Sequence, residues 1–478
     1  MVLIVNAFGT PYEIGFQYGQ QAKDQVLGSI SYYESLFEST CGLDWPSVRE
    51  EATKYLDTLE RLCPEYLEEI RGIAEGAGVT LLDIVALNVR TEINFGLFTE
   101  EPKLPIQLDG CTALAIKSGH GPSFLSQNWD WVTRQGENLI VYTVNRPDTD
   151  IPRFTVVTEA GIIGKIGLNE SGVGVCLNAI KARGVDHTKW PVHLALRKVL
   201  ESSSRQSAID ELVSTGLAGS AHLLIADELG ATGLESTAKT VELLSADDQG
   251  VVIHSNHLLL DHDGSEESLW LLDSPQRSDR MQQLVTEELS SKQALTASDI
   301  FRLFQDEEGY PNGINRDTVD DSGAETLFNI IMNLSERTAT IAFGRTTNVV
   351  ERTPKTTSTS TISKHTKTNS KQNISPTPST MTQLPDKTNV VTHEIPAKLV
   401  PDMVKFQAAL ELIYGKSAAG LNFDWKHEGD NIVVKTYWKE PENLLKELQE
   451  KDGAIKEEDA DKKSVKDEAI KEEDPKEI

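Results

Sequence analysis

The stretch QLDGCTALAI, residues 107–116, lies at a seam in the chain. Before it, apolar residues recur at helical spacing between charged faces. After it come short runs rich in valine and isoleucine, bounded by glycine, asparagine or aspartate, as strands are. Cys111 opens the first of these runs, CTALAI, directly after Asp109-Gly110, a pair that favours a turn. A cysteine on a strand is most often a small buried hydrophobe. Gly110 gives this one a second use, because a residue without Cβ tolerates strained backbone and leaves its carbonyl open to close approach. The Cys111 thiolate can attack the Gly110 carbonyl, convert the peptide to a thioester and, once water cleaves it, leave Cys111 as a new N-terminus. Its α-amine, with an ordinary pKa of about 7.7–8.0, then stands beside its own thiol and can act as general base without a histidine.

Outward from the seam, three regions separate by composition. Residues 1–110 form a helical portion, with candidate helices over 13–37, 45–77 (interrupted at Pro64) and 81–92; GTPYEIG at 9–15 reads as a turn entering a helix. Residues 111–349 form a strand-rich core. Its candidate strands are CTALAI, NLIVYTV, RFTVVTEA, IIGKIGL, GVGVCLNA, AHLLIAD and GVVIHSN, and TLFNIIMNL with TATIAFG reads as a hairpin. PVHLALRKVLES and SRQSAIDELVSTG read as helices among them, which points to a layered α+β architecture rather than a βαβ repeat. Residues 350–385 are Ser/Thr-rich and nearly free of large apolar side chains, and are expected to be a disordered linker. Residues 386–443 hold a small apolar island, with MVKFQAALELIYG as helix and NIVVKTYW as strand; residues 444–478 are a charged tail, expected to be disordered, in which AIKEED occurs twice.

The 478 residues carry a net charge of -28, much of it in the tail, which argues against a nucleic-acid partner. The first residues, MVLIVNAFGT, lack the basic start of a signal peptide, and no run is long enough to span a membrane. The four cysteines, Cys41, Cys63, Cys111 and Cys176, form no close pairs, so free thiols in a reducing compartment, by default the cytoplasm, are expected.

Several further stretches line up with a known family. They are GTPYEIG (9–15), EEIRGIAEGAG (68–78), LNVRTE (87–92), DGCT (109–112), QNWDW (127–131), TEAGIIGKIGLNESGVGV (158–175), HSNHLL (254–259) and ETLFNII (325–331). With them the chain, up to about residue 348, resembles the fungal acyl-coenzyme A:6-aminopenicillanic-acid acyltransferase family, a branch of the N-terminal-nucleophile (Ntn) hydrolases also classed as C45 peptidases. The resemblance implies a four-layer αββα sandwich of two antiparallel sheets between helices, with the nucleophile opening an inner strand. It also implies a precursor cut between Gly110 and Cys111 into two chains that stay together as a heterodimer. Asp130, in QNWDW, matches the acidic residue that supports cleavage and orients the cysteine; unaided, it reads as a turn-capping aspartate. Asn256, in HSNH, matches the amide that donates to the tetrahedral oxyanion; unaided, it reads as a turn asparagine.

His254 and His257 invite a metal, but two ligands without a third are weak, and neither metal nor cofactor is expected. One departure stands out. The penicillin enzyme has an arginine between the serine and Gly-Ala-Thr ahead of its LFNII strand, where this chain reads Ser322-Gly323-Ala324-Glu325-Thr326. Either an acid-bearing β-lactam is not the substrate, or another cation such as Arg316 replaces it. The expected function is therefore acyl transfer through an acyl-Cys111 thioester, from acyl-CoA or an N-acyl amide to a small amine or water, in fungal specialised metabolism. Two alternatives stay open: an N-acyl amidohydrolase without CoA-dependent transfer, and a non-catalytic scaffold of the same fold. Related enzymes can be peroxisomal, but the C-terminal Lys476-Glu477-Ile478 is not a peroxisomal signal.

Overall fold

The computed structural model describes residues 2–98 and 110–352, apart from positions 118, 120, 148, 269 and 319–322, and beyond these 356–357 and short stretches between 391 and 448. The chain divides into two units, residues 1–364 and 365–478. The first begins with strand β1 (Leu3–Phe8), followed by seven helices: α1 (Pro11–Gln21), α2 (Lys23–Cys41), α3 (Trp45–Thr53), α4 (Leu56–Leu62), α5 (Pro64–Ala77), α6 (Leu81–Asn88) and α7 (Arg90–Gly96). Strands β2 (Thr112–Lys117), β3 (Ser123–Val132), β4 (Leu139–Asn145), β5 (Phe154–Glu159), β6 (Ile166–Asn169) and β7 (Gly174–Ala179) come next. Helices α8 (Val192–Leu200) and α9 (Arg205–Thr215) precede β8 (Ala221–Asp227), β9 (Gly230–Ser236), β10 (Val241–Ser245) and β11 (Val251–His254). Helices α10 (Ser274–Ser291) and α11 (Ala297–Leu303) and the hairpin β12 (Ala324–Asn333)–β13 (Thr338–Phe343) complete the core.

Two sheets form. One has eight strands in the order β1-β4-β5-β6-β7-β8-β9-β10, antiparallel except for the parallel β1–β4 pair. The other has seven strands and runs β11-β2-β3-β12-β13, closed by residues 351–352 and 356–357. The sheets face each other, β2 lying against β7, β8 and β9. Because strand side chains alternate in direction, β2 divides its residues between two apolar clusters. Cys111, Ala113 and Ala115 join the inter-sheet core with Val175 and Leu177, whereas Leu114 and Ile116 pack with Met281 and Val285 of α10 and Ile300 of α11. Helices α1, α5 and α8 cover the outer side of the eight-stranded sheet, sharing its cluster through Ile14, Ile70 and Leu196. The layering is αββα, as expected, with the cysteine at the start of an inner strand.

The helix pair α1/α5 rests on the matched motifs. Thr10 and Glu13 make a reciprocal capping box that starts α1 where GTPYEIG placed a turn. The helices approach so closely that a Cβ on Gly72 would stand 2.6 Å from the Phe16 nitrogen. Local detail differs from the sequence reading in three ways. The expected helix over 13–37 breaks at Ala22, that over 45–77 breaks at Lys54–Tyr55 as well as at Cys63, and that over 81–92 breaks at Val89. The supposedly helical first region also contributes β1, whose pairing with β4 bridges more than a hundred residues and leaves no local mark. And the core sheet runs past the expected boundary at 349, since residues 351–352 and 356–357 pair with β13.

The second unit contains a three-stranded antiparallel sheet of residues 391–396, 431–436 and 423–428, in that order. The expected strand NIVVKTYW falls on its central member. The expected linker over 350–385 lies outside the described residues apart from 351–352 and 356–357. So do the helix over 403–415, apart from Phe406 and Leu410, and the tail, apart from Leu444 and Leu448; these four are helical and buried. No helix among the described residues is long and apolar enough to cross a membrane.

Candidate active site

Cys111 stands at the N-terminal end of β2, 1 % exposed, with its thiol 3.9 Å from the backbone oxygen of Asp130 on the neighbouring β3. Its side chain faces the inter-sheet layer, and Thr112 faces the helical layer. On that second side Arg277 of α10 gathers the site. Its Nη1 donates to the carbonyl oxygens of Gly110 (3.0 Å) and Cys111 (2.8 Å) and to Thr112 Oγ1 (3.1 Å). Its Nη2 donates to Asn256 Oδ1 at 2.9 Å, and its Nε to Asp273 Oδ2 at 2.7 Å, one turn back on the helix. A planar fork of five N–H donors suits this multiple hold, which a lysine could not make.

Asp273 also pairs with Arg316, whose Nε lies 3.6 Å from Asp130 Oδ2 and whose Nη1 donates to Asn312 Oδ1 at 2.8 Å. Asp130 Oδ1 accepts from Thr326 Oγ1 at 2.7 Å. Two arginines and two aspartates therefore alternate, all at most 9 % exposed, so each buried charge has a partner of opposite sign. Gly110 is tied to the same network: a Cβ there would stand 2.6 Å from Cζ of Arg316, so only glycine leaves room for the guanidinium.

Asn256 follows β11. Its backbone N–H donates to Ser274 Oγ at the start of α10 (2.7 Å), and one hydrogen of Nδ2 goes to the Ala179 carbonyl at 3.0 Å, leaving the other for a second acceptor. Asn178 of β7 donates through Nδ2 to the Cys111 carbonyl at 3.1 Å, and its Oδ1 accepts from His222 Nδ1 at 3.0 Å.

A second buried polar group lies on the inter-sheet side. Lys165 and Arg90 both pair with Glu159, which Tyr33 and Gln135 also reach, and the Lys165 ammonium sits 3.6 Å from the centre of the Trp129 ring. Burial would raise the Glu159 carboxyl, but Arg90 and Lys165 more than offset it and hold it well below the usual range. Burial pushes Lys165 down to about 8, while Glu159 and Cys111 act in the opposite sense, so this ammonium feels the Cys111 sulfur.

The four expected site residues, Gly110, Cys111, Asp130 and Asn256, thus come together, but through Arg277, Asp273 and Arg316, which link them. Arg277 and Asp273 were not legible as site residues: DSPQRSDRM reads as an ordinary charged helix start, and only the fold turns it toward β2. Arg316, considered as a substrate cation, is held by Asp273, Asn312 and Asp130. Glu325 stands on β12 opposite Trp131, and burial, with Asp317 nearby, raises its carboxyl. His254 bonds Glu235 at 2.7 Å and stacks on His222 at 3.5 Å, and His257 turns to Ser274 Oγ at 2.8 Å. Among the described residues no three His, Cys, Asp or Glu side chains converge as metal ligands.

Comparison with known proteins gives consistent matches. The family described as acyl-coenzyme A:6-aminopenicillanic acid acyl-transferase matches residues 117–348. The acyl-coenzyme A:6-aminopenicillanic-acid-acyltransferase 40 kDa form of Emericella nidulans is 36 % identical over 350 residues, which cover 73 % of this chain and 94 % of that protein. The beta-alanyl-dopamine/carcinine hydrolase of Drosophila melanogaster is 23 % identical over 227 residues, 44 % of this chain; the match spans 56 % of that relative's length. Among solved structures, a variant of conjugated bile acid hydrolase from Clostridium perfringens superposes with TM-score 0.37 at 15 % identity, covering 49 % of this chain and 89 % of that one. Penicillin V acylase from Agrobacterium tumefaciens gives TM-score 0.28 at 13 % identity, covering 49 % and 83 %.

Proposed function

The chain belongs to the acyl-coenzyme A:6-aminopenicillanic acid acyl-transferase family, and from that premise we propose that it is a self-processing N-terminal-cysteine enzyme that carries an acyl group on Cys111 and passes it to an amine or to water. The observation that carries this reading is Arg277 Nη1 on the Gly110 carbonyl oxygen, 3.0 Å away, directly ahead of the cysteine. When the Cys111 sulfur adds to that carbonyl carbon, negative charge develops on the oxygen, and a fixed cation there lowers the barrier. The C–N bond then breaks, the nitrogen takes a proton, and water hydrolyses the resulting thioester to a Gly110 carboxylate and a free thiol.

In the second reaction the α-amine of Cys111 takes the thiol proton and Sγ attacks the substrate carbonyl. The spare hydrogen on Asn256 Nδ2 would meet the oxyanion, with Arg277 on Oδ1 and Ala179 on the other hydrogen fixing the amide plane. Asp130, beside Arg316, would hold the new α-amine. The donor is an acyl thioester or an N-acyl amide. Its release as a thiol or an amine is followed by transfer or hydrolysis, and the hydrolase among the relatives keeps the hydrolytic outcome in view. The cleaved chains would remain a heterodimer, since β1 and helices α1 and α5 share one core with the strands after Cys111.

Intact mass of the purified protein tests the reading. The expected result is two chains, the second beginning at Cys111, and a single chain for Cys111→Ala. A folded wild type that stays one chain would overturn the maturation step. Coenzyme A release from acyl-CoA, followed with and without an added amine, separates transfer from plain amide hydrolysis.

A further inference from the structure

Beyond β7 lies a group of side chains that this chemistry does not use. The strand ends at Ala179, whose carbonyl holds Asn256, and the next turns of chain, 181–183, are zipped to 266–268. Ser268 N–H donates to the Lys181 carbonyl (2.8 Å), Arg183 N–H to that of Glu266 (3.3 Å), and Ala182 bridges Glu267. This backbone ladder sets the Lys181 ammonium 4.3 Å from the centre of the Phe98 ring and 6.0 Å from that of Trp270. Arg183 brings a second positive charge to the same Phe98 ring, its Cζ 4.7 Å from the centre.

Lys181 is half-buried, and among the described residues no carboxylate lies within ion-pair distance of it. Burial lowers its pKa; Cys41 opposes that shift and Arg183 adds to it. Trp270 Nε1 is buried with no acceptor among the described residues. Phe95 joins this corner to β3, its ring centre 5.1 Å from that of Trp270 and 6.4 Å from that of Trp131, which follows Asp130 in the chain. A cation, an unsatisfied indole N–H and a wall of aromatic rings thus gather where the chain leaves Ala179, whose carbonyl holds Asn256. A buried donor without an acceptor is costly unless something else satisfies it.

We propose that Lys181 and Trp270 form a binding site for an anionic group of the substrate, a carboxylate or phosphate, whose flat apolar body lies against Phe95 and Phe98. The ammonium and the indole N–H supply two donors to the anion, and the rings take the apolar remainder. This inference deepens the acyl-transfer reading and rests on it.

Two pairs of substrates test it on the processed enzyme. The first is one acyl group carried either on coenzyme A or on neutral N-acetylcysteamine; the second is an N-acyl amino acid and its primary amide. Mass labelling of Cys111 by the neutral thioester comes first, and if no substrate labels or turns over, the acyl-transfer reading itself falls, whatever Lys181 does. With turnover in hand, Lys181→Gln is expected to lower the anionic-to-neutral ratio of kcat/KM about ten- to a hundredfold, with Lys181→Arg retaining most of it and Trp270→Phe giving a smaller drop. A fall confined to the coenzyme A pair identifies a phosphate, and one confined to the amino-acid pair a carboxylate. If the ratio stays within about twofold of wild type in both pairs, the site is not an anion site and the proposal fails.

Discussion

Arg277 holds four oxygen atoms of the site and one aspartate, which makes its geometry, not merely its charge, the critical quantity. Arg277→Lys keeps the positive charge but cannot span Gly110, Asn256 and Asp273 together, so it is expected to slow self-cleavage strongly. A time course on a denaturing gel reads this directly, and cleavage at the wild-type rate would mean that charge alone suffices. Asn256→Ala removes the proposed oxyanion donor and should lower kcat by about two to three orders of magnitude while the protein stays folded. Steady-state kinetics alongside a circular dichroism spectrum distinguish that outcome from unfolding; an unchanged kcat would take Asn256 out of the reaction. Asp130→Asn weakens the contact with Arg316 and should slow precursor cleavage, whereas normal processing would return Asp130 to a structural role.

Helices α7 and α8 are joined by a buried carboxyl and by the contact of Thr91 with His193. Glu92, fully buried, accepts the Val192 N–H at the first position of α8 with Oε1 at 2.7 Å. A charge at a helix N-terminus is favourable, yet burial dominates and pushes the Glu92 carboxyl up to about 7. Between its ordinary value of 4.5 and about 7, the folded chain keeps a proton that the unfolded chain has released. Stability contributed by this group is therefore complete below the lower value and is lost as pH rises through the window. At about 1.4 kcal/mol per pKa unit, the loss amounts to about 3 kcal/mol. Glu92→Gln keeps an acceptor for Val192 without the titration. In the unprocessed Cys111→Ala background its Tm should gain on the parent between pH 5 and pH 8; a constant difference would show that Glu92 titrates normally.

The catalytic unit ends where its sheet ends. Residues 351–352 and 356–357 cover the edge of β13, and exposed edges invite pairing between molecules. Truncation after Lys364, the end of the first unit, should leave cleavage and activity intact. Truncation after Asn348 should still permit cleavage but lower solubility and Tm, because it uncovers β13. Size-exclusion chromatography of the two truncated proteins checks the contrast, and loss of activity in the longer one would show that residues 365–478 serve the reaction.

Much of this architecture is local information. The alternation of β2, the β12–β13 hairpin and the Thr10 capping box follow from side-chain period and capping chemistry, which act over a few residues. Cys111 and Gly110 could be singled out because adjacent residues carry both nucleophile and target. Other elements are silent for physical reasons. Strand β3 is buried at all ten positions, so SFLSQNWDWV shows no alternation, and β1 draws its stability from β4 far along the chain. The site is divided in the same way. Asp130 and Asn256 stood out only through family resemblance, and Arg277 and Asp273 not at all, since one turn of a charged helix looks alike whether it meets water or a buried carbonyl. By itself the sequence determined the helical-then-stranded order of the two regions and marked Cys111 as the candidate nucleophile. Which buried cations surround that nucleophile was decided only by the packing of α10 and the 312–318 loop onto β2 and β3, because charges so far apart in sequence are brought within hydrogen-bonding reach by tertiary contacts alone.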